Sequence, residues 1–182
     1  MATDYITLGS GKLYLKLFEG TVPTYTELCK EENRFGYIKN GASIEYTPTF
    51  SEVQDDLGFV SKTVIQEEAA ILKAGVMTFG PNSLAKLSDT ARVETEGNVT
   101  TMKIGGANNS TGEKYVICFH HHDAEDNRDI YIMIVGKNTA GFSLSFAKDA
   151  ETVIDAEFKC LPNLDEEGTL IQYVEVIGAT QG

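Results

Sequence analysis

The chain has 182 residues, of which 42% are apolar and 23% are charged. This length fits one ordinary domain with its own core, and the composition excludes intrinsic disorder. Acidic side chains outnumber basic ones by 27 to 15, which gives a net charge of −12. Because nucleic-acid-binding proteins gain affinity by neutralising phosphates with Lys and Arg, this charge argues against a protein that holds nucleic acid.

Targeting and cysteine patterns predict residence in a reducing cytoplasm. Residues 1–16 lack the basic start and apolar core of a secretory signal, and no run of about 18 apolar residues predicts a membrane span. The three cysteines, Cys29, Cys118 and Cys160, are far apart and form no CxxC pair. That spacing fits neither a disulfide framework nor a zinc ribbon. We therefore expect cytoplasmic synthesis without membrane insertion.

Alternation of apolar and polar residues with a period of two dominates the sequence and predicts strands. In chain order, the strand-like segments cover residues 12–18, 42–47, 115–120, 130–135, 142–146, 154–160 and 169–177. Residues 130–135 are continuously apolar, which predicts a strand covered on both faces. Residues 60–64 are strand-like and residues 66–74 are rich in helix formers. We interpret both together as one long strand, with a helix over 66–74 as the alternative.

Turn and helix signals separate these segments. Asn40-Gly41 and Glu96-Gly97-Asn98 predict turns, and Asn82 is suited to capping a short helix over residues 83–87. Many short strands joined by turns predict a mainly β chain, an antiparallel β-sandwich or barrel with one short flanking α-helix. We expect a single domain over residues 1–182, with an N-terminal arm over about residues 1–11 and an acidic loop over about residues 48–58.

Catalytic and metal-binding patterns are weak. The sequence has no G-x-S-x-G motif, and its three histidines all lie in the run His-His-His-Asp at residues 120–123. On a strand, His120 and His122 share a face, and a zinc site would need a further ligand, which could be Asp123, Asp126 or Cys118. We interpret the run as a polar hairpin end, with a metal site as the alternative. We therefore expect no enzyme activity, no metal and no cofactor.

The order of these elements resembles that of the tail tube, or major tail, proteins of long-tailed bacteriophages. An early strand carries residues 12–15, and a paired unit follows over residues 35–48. Next come the acidic loop, the long strand, the short helix and a Gly/Asn-rich insertion. Closing strands cover residues 154–162 and 169–177. The resemblance spans nearly the whole chain and rests on the pattern of strands and turns.

This resemblance implies a structural virion protein that is assembled in the bacterial host cytoplasm and resides in the virion tail. Its copies would form hexameric rings stacked into a tube, through which DNA passes during ejection without specific binding. Other tail proteins, such as the tape measure, the terminator and baseplate or tip components, are the implied partners. Negative charge fits such a conduit, because an acidic lumen repels phosphates.

Two sets of residues are candidates for these roles. The candidates for the lumen are acids on the wet faces of strands: Glu45, Asp155 and Glu157. The candidates for contact with an adjacent subunit or ring lie in the acidic loop: Asp55, Asp56 and Gly58. A tube protein of a contractile injection or secretion system is one alternative. A soluble ligand-binding β-barrel, which would stay small in solution, is another.

Overall fold

The computed structural model describes residues 10–54, 56–57, 61–77, 80–146, 148–149 and 151–178. The strands in these ranges are β1 Lys12–Leu17, β2 Arg34–Gln54, β3 Ser61–Val76, β4 Arg92–Glu96, β5 Val99–Lys103, β6 Tyr115–Asp123, β7 Arg128–Asn138, β8 Ile154–Leu161 and β9 Gln172–Ile177. The α-helices are α1 Tyr25–Leu28 and α2 Pro81–Ala85. The predicted mainly β, antiparallel fold is confirmed, and α1 is present in addition to the one helix expected.

Hydrogen-bonded pairing closes most of the strands into an antiparallel barrel. The order around it is β6-β1-β2-β3-β8-β7, and β7 pairs again with β6. The other edge of β7 pairs with β9 over residues 128–133 and with β8 over residues 135–138. β4 and β5 form a separate hairpin. Because the sheet closes on itself, the barrel strands have partners on both sides along part of their length.

Alternating side chains of the barrel strands fill the interior. Its buried side chains include Leu13, Leu15, Leu72, Ile117, Ile134 and Phe158. Phe158 meets Phe35 edge-on, with ring centres 6.4 Å apart. The alternation predicted for residues 154–160 is confirmed, since every second residue of β8 from Ile154 to Cys160 is buried.

A smaller apolar cluster covers part of the outside of the barrel. It comprises Tyr14, Leu28, Val116, Cys118, Met133 and Val135. Leu28 belongs to α1, so this short helix packs over β1, β6 and β7. A capping box starts the helix, with the Glu27 amide donating to the Thr24 side chain and the Thr24 amide donating to the Glu27 carboxylate. β7 therefore has apolar clusters on both faces, as predicted for residues 130–135.

β2 and β3 continue beyond the barrel as a two-stranded hairpin. We call residues 47–54 and 61–69 the hairpin arm, because in these stretches the described residues show the two strands pairing only with each other. Nearly all of its residues are partly or fully exposed. The long-strand prediction is confirmed over residues 61–74. The predicted loop is wrong for residues 48–54, which form strand because each pairs with a residue of β3.

Two segments of the sequence adopt structures different from those predicted for them. Asn40 and Gly41 form a bulge inside β2, with φ angles of 66° and 74°, and not a hairpin turn. Positive φ angles suit a bulge as well as a tight turn. Because β3 pairs with β2 both before and after Asn40-Gly41, these two residues form a bulge. Residues 142–146, all of them described, contain no strand, and Phe146 is 85% exposed.

The second helix starts earlier than predicted. Gly80 occupies the N-cap position of α2 and Asn82 lies inside the helix, so the prediction of an Asn82 cap is wrong. Pro81 suits the first helical position, because its missing N–H has no intrahelical acceptor there and its φ is already helical. In the described ranges, no helix combines the length and the apolar character needed to cross a membrane.

Candidate assembly surfaces

The three predicted lumen acids lie together on one outer face of the barrel. The strand register places Lys73 of β3 between Ser43 of β2 and Glu157 of β8. Side chains alternate along a strand, so Glu45, Asp155 and Glu157 all point away from the core that Leu72 and Phe158 fill. We call Glu45, Lys73, Asp155, Glu157 and Lys159 the acid face. The structure thus brings the predicted acids together, next to two lysines.

The lysines offset part of the negative charge of the acid face. The ammonium group of Lys73 lies 3.2 Å from the Glu45 carboxylate. Both side chains are well exposed, so this ion pair contributes at most about 1 kcal/mol. Lys159 is exposed on β8 beside Glu157. Three carboxylates against two ammonium groups leave the acid face with a net negative charge.

A cleft opens in the acid face where the bulge of β2 passes β3 and β8. Its volume is about 330 Å³, and its lining includes Gly41, Ser43, Gly75, Asp155 and Glu157. Gly75 is required for the close approach of the strands, because a Cβ there would lie 2.6 Å from the main-chain oxygen of Lys39. Small residues and carboxylates therefore give this part of the surface a polar, recessed shape that suits a polar contact.

The hairpin arm exposes apolar side chains on both of its faces. Tyr46, at its base, Phe50 and Ile65 share one face and are 49%, 56% and 53% exposed. Phe50 and Ile65 are direct cross-strand partners. Val53 and Val64 lie on the opposite face and are 62% and 39% exposed. A two-stranded hairpin is marginally stable alone, and exposed apolar patches mark sites of interaction. The arm is therefore suited to bind protein.

Of the three predicted contact residues, the structure describes Asp56, which lies at the tip of the arm. Asp56 is exposed in the turn beside Leu57, which is 76% exposed. Asp55 and Gly58 lie outside the described residues. Sequence analysis selected the acidic tip and missed the apolar residues along the arm. Phe50 and Val53 lie three positions apart, so they form no period-two pattern that would predict a strand over residues 48–54.

His120 and His122, two of the three histidines in the run, both contact the Asp129 carboxylate at one end of β6 and β7. His120 Nε2 and His122 Nδ1 lie 2.7 Å and 2.9 Å from the same Asp129 oxygen, and Tyr131 stacks on His120. Burial raises the pKa of Asp129, but the hydrogen bonds with the histidines outweigh it and leave the pKa below its ordinary value. Among the described residues, no three His, Cys, Asp or Glu side chains are grouped to hold a metal ion.

Packing of α1 brings two cysteines together. The sulfur atoms of Cys29 and Cys118 are 3.4 Å apart, although the residues are separated by 89 positions in the sequence. Two main effects raise the pKa of Cys118. The larger is its hydrogen bond with the Cys29 thiol, and the smaller is burial of the Cys118 side chain. The sequence spacing gave no sign of this pair, because it depends on how α1 docks against β6.

The acid face and the Phe50–Ile65 face of the arm lie on opposite sides of β2 and β3. Glu45 and Tyr46 are consecutive residues of one strand, so their side chains leave it in opposite directions. A protein bound to the Tyr46 side of the arm would therefore leave the acid face accessible.

Comparison of the chain with protein-family models and with curated proteins found no match.

Proposed function

We propose that this chain is a structural subunit that assembles with copies of itself into stacked hexameric rings, which form the tail tube of a bacteriophage. The observation that carries the proposal is the hairpin arm. Two strands continue beyond a closed barrel and expose apolar side chains on both faces. This arrangement is costly for an isolated chain and favourable for one that packs against a neighbour.

Unpaired backbone edges give the arm a second means of association. In the described part of the chain, the arm strands pair only with each other, so each has an edge of free N–H and C=O groups. The outer edge of β9 is similarly unpaired in those residues, and Tyr173 and Ile177 on it are 56% and 67% exposed. A closed ring of identical subunits satisfies such edges on every copy, whereas an open dimer leaves some unpaired.

The acid face supplies the surface that a DNA conduit needs. In a ring with Glu45, Asp155 and Glu157 towards the axis, the net negative charge of each face repeats around the lumen. Carboxylates at that position repel phosphates, so DNA passes during ejection without being held. On this proposal the chain resides in the virion tail and contacts the tape measure, the terminator and baseplate or tip proteins. A tube of a contractile injection or secretion system would use the same surfaces.

The barrel interior favours assembly over the ligand-binding alternative. Leu72, Ile134 and Phe158 meet inside the barrel with no exposed surface. A ligand-carrying barrel of this size would instead keep an apolar pocket between its facing strands. The packed core therefore supports a structural subunit whose binding surfaces lie outside the barrel.

Charge insertion in the arm tests the proposal. Phe50→Glu and Ile65→Glu each place a carboxylate at a site that is more than half exposed in the monomer, so we expect unchanged circular dichroism and melting temperature. Val99→Glu is the matched control, because Val99 is 64% exposed on β5, away from the arm. Light scattering and negative-stain microscopy at raised concentration should show rings or tubes for the wild type and the control, and monomers for the arm variants.

Two results would contradict the proposal. One is a wild-type protein that stays monomeric at every concentration. The other is assembly of the arm variants at the same concentration as the wild type, which would show that the exposed apolar residues of the arm make no subunit contact.

A further inference from the structure

Two thiols are placed for reaction with each other on the outside of the barrel. The sulfurs of Cys29 and Cys118 are 3.4 Å apart. A disulfide has an S–S distance of about 2.05 Å, so closure requires the sulfurs to approach by little more than 1 Å. Cys29 directly follows the short helix α1, where a small shift of the chain is sufficient. Both thiols are free in this structure.

The two sulfurs differ in access. Cys118 is fully buried on β6, whereas Cys29 is partly exposed. A reagent from solvent therefore reaches Cys29 first. The third cysteine, Cys160, is buried within the barrel interior, while Cys118 belongs to the outer cluster. Burial also raises the pKa of Cys160 to about 11, which keeps that thiol protonated and unreactive at neutral pH.

We propose that Cys29 and Cys118 form a site of reversible disulfide formation, with small-molecule disulfides as the oxidants. The Cys29 thiolate attacks the oxidant RSSR, breaks its S–S bond and releases one thiolate, which leaves a mixed disulfide on Cys29. Cys118 then loses its proton to solvent and attacks the Cys29 sulfur, releasing the second thiolate. The protein loses two hydrogens in total, and RSSR is reduced to two RSH.

Formation of the disulfide would link the C-terminal end of α1 covalently to β6 of the barrel. The bond links positions that are 89 residues apart, so it restricts the unfolded chain over about half of its length. We expect the melting temperature to rise by about 5–15 °C on oxidation and to return on reduction. The pKa of Cys118 is raised by contact with Cys29 and by burial, so the second step should be slower than the first and should accelerate at higher pH.

Oxidation of the full-length protein under native conditions tests the site. The protein is incubated with oxidised glutathione and then unfolded in denaturant, its remaining thiols are alkylated, and its intact mass is measured. The expected product has lost two hydrogens, carries one alkyl group, and yields a peptide that joins Cys29 to Cys118. Cys160→Ser is the matched control and should form the same bond, whereas Cys29→Ser should not.

Folding of the variants is checked by their melting temperatures in reducing buffer, where Cys29→Ser should match the wild type within about 3 °C because its side chain is partly exposed. The proposal is overturned by an unmodified wild-type protein, by a lasting glutathione adduct on Cys29, by a bond that involves Cys160, or by a bond between two chains.

Discussion

Replacing Gly136 by alanine tests the closure of the barrel. Gly136 lies on β7, where Tyr115 of β6 pairs on one side and Cys160 of β8 pairs on the other. A Cβ at this position would lie 2.4 Å from the main-chain oxygen of Lys159. Cβ contacts below 3.0 Å essentially do not occur, so β7 and β8 must separate by more than half an ångström.

The expected cost follows from overpacking and from weakened pairing. Inserting a methyl group into a packed site costs about 1–3 kcal/mol, and each hydrogen bond lost between β7 and β8 adds about 0.5–1.5 kcal/mol. We therefore expect Gly136→Ala to lower the free energy of unfolding by about 2–4 kcal/mol. For a chain of this size, that corresponds to a fall of about 5–15 °C in melting temperature.

Urea unfolding followed by far-ultraviolet circular dichroism measures this change. Gly80→Ala is the control, because a Cβ at Gly80 would meet no atom of the described residues within 4 Å and its φ of −139° is open to any residue. Gly80 is the N-cap of α2, where alanine is a poorer cap but restricts the unfolded chain more, so the two effects offset in part and the control should stay within about 1 kcal/mol of the wild type. Equal stability of the two variants would refute the close contact of β7 with β8, and with it the closed barrel.

Two further changes test the polar surfaces. Asp129→Asn should lower the stability at neutral pH by about 1.5–3 kcal/mol, because His120 and His122 lose a charged acceptor. The pKa of Asp129 is held below its ordinary 3.8, so its contribution is complete above that pH and is lost as the pH falls through the folded-state pKa. Urea unfolding should show the gap between variant and wild type narrowing towards low pH, and a constant gap would contradict this origin. Glu157→Lys should slow DNA ejection from assembled particles, whereas Glu96→Lys, exposed on β4, should not, and equal ejection rates would contradict the lumen assignment.

Strand positions were predictable where burial alone decides the residue type. Residues 154–160 alternate because one side of β8 fills the barrel and the other faces solvent. Residues 130–135 are apolar throughout because the interior cluster and the outer cluster meet β7 from opposite sides. In both segments the pattern needs no knowledge of the neighbouring strands, so the sequence is sufficient.

Pairing was not predictable, because distant residues determine it. Asn40-Gly41 suits both a turn and a bulge, and only the register of β3 selects the bulge. Residues 142–146 alternate like a strand but form none in the structure. Residues 48–54 are rich in turn-forming and polar residues, yet their partners in β3 make them strand. For each segment the local sequence permits two conformations, and a remote partner decides between them.

The candidate sites also combine features that follow from the local sequence with features that depend on distant residues. Alternation places Glu45, Asp155 and Glu157 on the solvent-facing sides of their strands, whereas their grouping beside Lys73 depends on the pairing of β2, β3 and β8. The pairing of Cys29 with Cys118 requires the position of α1, a helix of four residues that is too short to show periodicity. The capping box of α1, formed by Thr24 and Glu27, was the local sequence signal from which this helix could be predicted.

In the proposed assembly, folding stability depends on barrel residues and association depends on arm residues. Leu72 and Phe158 are fully buried within one chain, so the free energy that they contribute does not depend on concentration. Phe50 and Ile65 keep more than half of their surface exposed, and in the proposed assembly a neighbouring subunit would bury it. Burying the remainder of each side chain contributes about 1–1.5 kcal/mol, repeated on every subunit of an assembly. Because such a contribution appears only on association, assembly depends on concentration whereas folding does not. Substitutions in the arm should therefore separate the two processes, while substitutions in the barrel should impair both.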